Sequence, residues 1–251
     1  MTAALYRLEP GRLAGVEPGA SVLLDGAEGH HAATVKRSRV GEEVLLADDG
    51  PRVAVGEVRE VGPGTLVVEV RGFTSLAYDG PRFVLVQALA KNDRDLQAVE
   101  AATELGVDEI VPWQAQRSIV QWRGERAQRA HRKWVALAAA AAKQSRRPSV
   151  PTVAEAVDLR DLVRRVESAA STFVLHEQAA EPLAEATLPP SGDVLLVVGP
   201  EGGIAPAEVE SLVAAGAVAV RMGRYVLRSS SAGPAALAVL SAAARWRDAQ
   251  E

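Results

Sequence analysis

The stretch Val197-Val198-Gly199-Pro200-Glu201-Gly202-Gly203 constrains this chain more than any other. Asp193 to Val198 is an almost unbroken apolar run, the pattern of a strand buried on both faces of a parallel sheet. It stops at Gly199-Pro200, and two further glycines follow. Pro206 then stands where a helix can begin, with Glu208 in its first turn. A second stretch repeats the form. Ala217 to Met222 reads as a strand, Gly223 breaks it, and an Ala-rich helix follows from about Ser231. Strand, glycine turn and helix build the ligand crevice of an α/β sheet at the carboxyl ends of its strands. Two such ends close in sequence predict one pocket with two walls. The pattern is neither the dinucleotide fingerprint nor a Walker loop, whose lysine is missing. A tight turn between strand and helix is the other reading of the same residues.

Charge is unevenly spread. Between Arg117 and Arg147 stand nine basic residues and one acid, Glu125, in a chain of net charge −4. A one-sided segment of this kind is either a solvated helix face or a nucleic-acid footprint. Cysteine is absent, which excludes a disulfide framework and a thiolate zinc site. With only four histidines (His30, His31, His131 and His176), two of them adjacent, a histidine-rich metal centre and hence a metal are not expected. No apolar run is long enough to span a bilayer, and no basic-then-apolar signal segment opens the chain, so a cytoplasmic protein is expected.

Residues 1–73 read as a β-rich unit. Short β-type runs at Ala4–Leu8, Ser21–Leu24, Val44–Ala47, Val53–Val61 and Leu66–Val70 are separated by turn signals such as Pro18-Gly19 and Gly62-Pro63-Gly64. Strands of this spacing predict a small barrel. One helix is expected at 27–39, carrying His30, His31, Lys36, Arg37 and Arg39. These residues suit phosphate and base contacts, or simply a polar helix face. Residues 74–82 read as a linker, and 83–251 as an α/β domain of alternating strands and helices. The expected strands are 83–88, 109–113, 172–175, 193–198 and 217–222. The expected helices are 93–105, 124–145, 159–166 and those following Pro206 and Ser231. Polar residues gather after these strands: Lys91 and Asn92; Gln114, Gln116 and Arg117; His176 and Glu177; Gly199 to Gly203; Gly223 to Arg228. The crevice rule puts a ligand among them. His176 with Glu177 reads either as an acid/base pair or as a hydrogen-bonded structural pair.

The motifs resemble the SPOUT-class methyltransferases and, within them, the RsmE family, which methylates N3 of a uridine in small-subunit ribosomal RNA. His31 with Val35, Arg37 and Gly41 is similar to the family's N-terminal signature. Thr103-Glu104-Leu105-Gly106-Val107, then Ile110 and Pro112, resemble its Thr-Glu-Leu-Gly-Val stretch, and Arg117-Ser118 follows. Gln144-Ser145-Arg146-Arg147 resembles its Gln-Ser-x-Arg. Gly199 to Gly203 and Met222-Gly223 through Val226-Leu227-Arg228 are similar to its two cofactor loops.

The resemblance implies an N-terminal PUA-like β-barrel that binds RNA, then a C-terminal α/β SPOUT domain with a trefoil knot from about Leu195 to Ala235. It implies S-adenosylmethionine as cofactor, a homodimer, and 16S ribosomal RNA or the small ribosomal subunit as partner. The cofactor-binding residues would be His176, Glu177, Gly199, Pro200, Glu201, Gly202, Gly203, Met222, Gly223, Val226 and Leu227. The RNA-binding residues would be Arg7, His31, Arg37, Arg39, Arg117, Gln144 and Arg147. Uridine N3–H must lose its proton, and Arg228, following the cofactor loop, is the expected cation beside the developing anion. The base must be flipped out or single-stranded to be reached.

This chain departs from the family pattern at three places. Tyr225 stands for a usual Arg, Ser230 for a usual Glu, and Ala101 for a usual Lys. Loss of Arg and Glu together is the pattern of one ion pair deleted whole. Ribose 2′-O methylation, or a non-catalytic RNA-binding protein of the same fold, are the alternatives.

Overall fold

A computed structural model of the chain describes residues 3–50, 52–75, 78 and 80–246. Of the expected linker, residues 76, 77 and 79 lie outside the described residues. The chain forms two compact units, one of residues 1–77 with 146–149, the other of residues 78–145 with 150–251.

The first unit is a five-stranded sheet of β1 (Ala4–Arg7), β2 (Ser21–Leu24), β3 (Glu43–Ala47), β4 (Val53–Gly62) and β5 (Thr65–Thr74). Its order is β1-β3-β4-β5-β2, with β1 parallel to β3 and the other pairs antiparallel. Alternation decides its inner face: Leu66, Val68 and Val70 of β5 are buried with Val44, Leu46, Leu24 and Tyr6. The helical segment is shorter than its sequence predicts. α1 (Gly26–His30) passes into a single π turn over His31–Val35 and stops. The Ser38 N–H donates to the Ala32 carbonyl at 3.0 Å, and Arg37 lies at φ 55°. Closure around a left-handed residue is how helices end. Arg37 and Arg39 therefore sit beyond the helix, on a segment anchored by the Ser38 hydroxyl against the Tyr6 hydroxyl at 3.1 Å.

The second unit holds β6 (Arg82–Ala88), α2 (Arg94–Glu104), β7 (Glu109–Trp113), α3 (Gly124–Gln144), β8 (Thr152–Val153) and α4 (Leu159–Ser168). These are followed by β9 (Ser171–Leu175), β10 (Glu181–Pro182), β11 (Asp193–Val198), α5 (Pro206–Ala214), β12 (Val218–Arg221) and α6 (Ser229–Ala244). The sheet runs β10-β12-β9-β11-β6-β7-β8, and every pair is parallel. Helices cover both faces. Phe83, Leu85, Leu196 and Val198 pack on one side with Val99, Trp134 and Leu237; Val84, Val86, Leu195 and Val197 pack on the other with Leu162 and Leu212. Burial on both faces is why β6 and β11 are continuous apolar runs, and each such side chain stabilises the fold by about 1.5–3 kcal/mol. The two-residue strands β8 and β10 close the sheet's edges. Neither carries enough residues to show a period, so the sequence alone does not reveal them.

The end of α6 is fastened to the start of the sheet. The buried Arg245 guanidinium donates to the Gly106 and Pro81 carbonyls and to Asp108 Oδ2 at 2.6 Å, and lies 4.0 Å over the Phe83 ring.

Candidate active site

A cavity of about 220 Å³ opens at the carboxyl ends of the adjacent strands β9 and β12. Leu175, His176 and Glu177 form one wall, the run Arg221 to Leu227 forms the other, and Ala232 of α6 closes the floor. Leu175, Met222, Val226, Leu227 and Ala232 make the lining largely apolar, as ligand pockets are. The Gln178 N–H donates to His176 Nδ1 at 3.2 Å, so a neutral ring carries its proton on Nε2. Arg221 lines the cavity, and its guanidinium donates to the carbonyls of Ala179 and Ala180. Gly223 lies at φ 146°, where a side chain is strained, and nothing stands within 4 Å of where its Cβ would be. Its backbone is bare on the cavity wall.

The glycine loop at the end of β11 does not line this cavity. It lies one strand further in, beyond β9, and is held by the segments that follow β6 and β7. The Lys91 N–H donates to Glu201 Oε1 at 3.2 Å, and Arg94 pairs with the same oxygen at 3.5 Å. Arg117 Nη1 donates to the Gly202 carbonyl at 3.0 Å. A Cβ at Gly199 would fall 2.6 Å from Ile204 Cγ1 and 3.2 Å from the Ile204 nitrogen, so only glycine lets the loop fold back on itself here. Glu208 forms half of a capping box. Its Oε2 accepts from the Ala205 N–H at 3.0 Å, while the Ala205 methyl can accept nothing in return.

Of the expected cofactor set, the structure brings together His176, Glu177, Met222, Gly223, Val226 and Leu227. Gly199, Pro200, Glu201, Gly202 and Gly203 form a braced loop at the end of β11, in which Glu201 Oε1 accepts from the Lys91 N–H and pairs with Arg94. The cavity's lining comes from β9 and β12, which are neighbours, and β11, whose end carries the glycine loop, pairs with β9 on its other side, Val197 opposite Val174. Arg224 and Tyr225, within the expected strand-end run Gly223 to Arg228, also line the cavity, as do Leu175, Arg221 and Ala232, which were not expected there. Arg228 is exposed at the N-cap of α6, immediately after the lining run, and its guanidinium has no ion-pair partner among the described residues.

The expected RNA residues divide between the units. Arg117 and Gln144 are exposed in the second, Gln144 as the last residue of α3. In the first, Arg37 and Arg39 are exposed and His31 opens the π turn. Arg7 is committed internally: its guanidinium binds Asp49 at 3.0 Å and the Arg147 carbonyl at 2.6 Å. Among the described residues no cluster of His, Asp or Glu could hold a metal ion, and no helix is long and apolar enough to cross a membrane. A wider depression of about 440 Å³ lies along α4. Its arginines are already paired, Arg165 with Glu109 and Arg164 with Asp161, and no strand-end glycine turn faces it, so the β9–β12 cavity is the better candidate.

Comparison with known proteins finds two family models. The RNA methyltransferase domain matches residues 79–241 and the RNA methyltransferase PUA domain matches residues 24–71. The ribosomal RNA small subunit methyltransferase E of Mycobacterium bovis is 42% identical over 235 residues, covering 92% of this chain and 90% of that protein. The protein of the same name from Bacillus subtilis is 27% identical, covering 90% and 91%. A Legionella pneumophila methyltransferase, solved with its bound cofactor SAM, matches with a TM-score of 0.77 at 25% identity over 97% of this chain and 98% of that one. The Neisseria gonorrhoeae ribosomal RNA small subunit methyltransferase E, bound to S-adenosyl methionine, has the same fold, with a TM-score of 0.78 at 24% identity over 96% and 98%. The similarity runs along nearly the whole chain, which belongs to the RNA methyltransferase family of the ribosomal RNA small subunit methyltransferase E proteins.

Proposed function

We propose that this chain transfers a methyl group from S-adenosylmethionine to N3 of a uridine in 16S ribosomal RNA, within the small subunit or its free RNA. The observation that carries the reading is the β9–β12 cavity, in a chain 42% identical over its length to a small-subunit ribosomal RNA methyltransferase. The lining fits the cofactor. Apolar Leu175, Val226 and Leu227 suit an adenine face, the bare backbone at Gly223 suits its hydrogen-bonding edge, and Glu177 suits a hydroxyl pair or a cationic group. When bound, S-adenosylmethionine supplies a methyl already activated by its positive sulfur.

The residues of the chain do the rest. His176, Glu177, Met222, Gly223, Val226 and Leu227 hold the cofactor, while the braced loop Gly199, Pro200, Glu201, Gly202 and Gly203 shapes the neighbouring wall. Arg228 places a cation beside uracil O2 or O4 and so stabilises the base as its N3 proton leaves. It stands at the amino end of the 16-residue α6, whose partial positive charge acts in the same direction. His31, Arg37, Arg39, Arg117, Gln144 and Arg147 are the RNA contacts. Arg7 serves them indirectly, by holding the Arg147 carbonyl. The target base is flipped or single-stranded, since N3 is inaccessible in a stacked pair.

The finer architecture belongs to the same proposal. Residues 1–73 close as a PUA-like barrel, residues 74–82 link them to the SPOUT domain at 83–251, and the segment from Leu195 to Ala235 threads a trefoil knot. The working form is a cytoplasmic homodimer. Calorimetric titration with S-adenosylmethionine tests the cofactor step, and absence of binding would overturn it. Mass mapping of ribosomal RNA from a deletion strain tests the target. One uridine N3 methyl should disappear, and its survival would remove the substrate assignment.

A further inference from the structure

α3 carries its five cations in one sector. With 3.6 residues per turn, Arg126, Arg129, Arg132, Lys133 and Lys143 fall within roughly 120° of one another. They lie opposite the face that buries Trp134, Ala138, Ala141 and Ala142, and all five are exposed. From Arg126 to Lys143 the row is about 26 Å long. A helix face that only keeps a protein soluble mixes both signs. Here Glu125 is the single acid on the helix, paired with Arg129 at 3.6 Å. Arg126 and Arg132 have no ion-pair partner among the described residues.

The row is also joined to the glycine loop. Lys133 binds Asp93 at 3.3 Å. Asp93 is the N-cap of α2, held at φ 55°, and the next residue, Arg94, pairs with Glu201 of the loop. Lys91 adds a cation on the same connection, and its N–H binds Glu201 too. A chain of charged contacts therefore links the middle of α3, across the β6–α2 turn, to the glycine loop at the carboxyl end of β11, with the Lys91 side chain as an added cation on the way.

We propose that this face of α3 is a track for the phosphate backbone of the RNA substrate, laying the strand along the helix towards the glycine loop. The proposal rests on the reading of the chain as an RNA methyltransferase and adds the surface that grips. Phosphate contacts position a strand without reading its sequence, which suits a row of arginines and lysines that offers no base-reading pocket.

The test is fluorescence anisotropy with a labelled small-subunit ribosomal RNA fragment at several salt concentrations, comparing the unaltered chain with the double variant Arg126→Ala, Arg132→Ala. Each lost phosphate contact removes about 0.7–0.9 from the slope of log affinity against log salt, so the double variant should be shallower by roughly 1.5. Affinity for S-adenosylmethionine should stay unchanged. Arg126→Gln, Arg132→Gln keeps the apolar stems, and should give the same slope if the alanine pair lowers the melting temperature. RNA binding with an unaltered slope in the glutamine pair would overturn the track and leave the methyltransferase reading standing. An unaltered chain that binds the cofactor but neither binds nor methylates the RNA would overturn the methyltransferase reading and the track with it.

Discussion

The Glu208 carboxylate, on the first turn of α5, accepts the backbone N–H of Gln116 at 2.8 Å. Its other oxygen takes the Ala205 N–H at 3.0 Å, and the side chain is almost wholly buried. One acid thus joins the segment after β7 to the far end of the glycine loop. Charge-assisted bonds to backbone amides are among the strong ones. Glu208→Gln keeps the shape but turns one acceptor into a donor that faces an N–H. The buried amide left unpaired costs about 1–3 kcal/mol, which lowers the melting temperature by roughly 2–4 °C per kcal/mol in a chain of this size. Affinity for S-adenosylmethionine, measured by calorimetry, should fall with it, because the loop loses its anchor; an unchanged melting temperature would show that Glu208 is not a strut.

Gly199→Ala should be costly for a steric reason. The new methyl would meet Ile204 Cγ1 at 2.6 Å. Overpacking of this kind costs about 1–3 kcal/mol. Ile204→Ala removes the obstructing carbons and makes a cavity of its own. In the double variant the two effects should be less than additive in denaturant melts. Strict additivity would mean that Gly199 is required for something other than its contact with Ile204.

Tyr225 is 82% exposed on the cavity's outer wall, and Ser230 stands on the first turn of α6. The family pattern that the motifs resemble has Arg and Glu at these places. If one ion pair was deleted whole, Tyr225→Arg and Ser230→Glu should each weaken methyl transfer or cofactor affinity alone and recover it together. An exposed pair of this type is worth about 0.2–1 kcal/mol, so the coupling is a few-fold in rate or affinity. Independent effects in the double-mutant cycle would rule out the pair.

Two sets of carboxylates, one in each unit, should answer pH in opposite directions. In the first, Glu57 is held below the ordinary glutamate range, foremost by its hydrogen bond from Arg71, and Glu69 likewise by Arg59. Their contribution is present above about pH 4.3 and is lost as pH falls through their lower folded values. In the second, burial pushes Asp95 up, although its carboxylate accepts from the Ala90 and Leu96 amides. Its contribution is full below about pH 3.9 and is lost as pH rises through the raised folded value. Between roughly pH 3 and 7, denaturant melts of Asp95→Asn should improve on the unaltered chain as pH rises, and melts of Glu57→Gln, Glu69→Gln should worsen. The same trend in both variants would contradict these assignments.

The strands were legible because their signals are local. Asp193–Val198 and Glu109–Trp113 have the bounds their apolar runs and flanking glycines predict, and α3 falls one residue short of its expected end. The helix expected at 27–39 was overread, since nothing in the polar run from Lys36 to Arg39 announces that Arg37 turns left-handed. The candidate site was legible as a set of strand ends but not as a geometry.

By itself the sequence determined that an apolar strand ends at Gly199 to Gly203 and that a second ends at Gly223, because periodicity and glycine act on neighbouring residues. Only the tertiary structure decided what those ends meet. Strand order seats β12 beside β9, so the cavity joins Met222–Leu227 to His176 and Glu177, while Glu201 and Gly202 turn to Lys91, Arg94 and Arg117. The buried acceptors Glu208 and Asp95 were decided there too. A carboxylate's place in a fold depends on which distant amides need an acceptor, and that is set by pairing between strands that lie far apart in the chain.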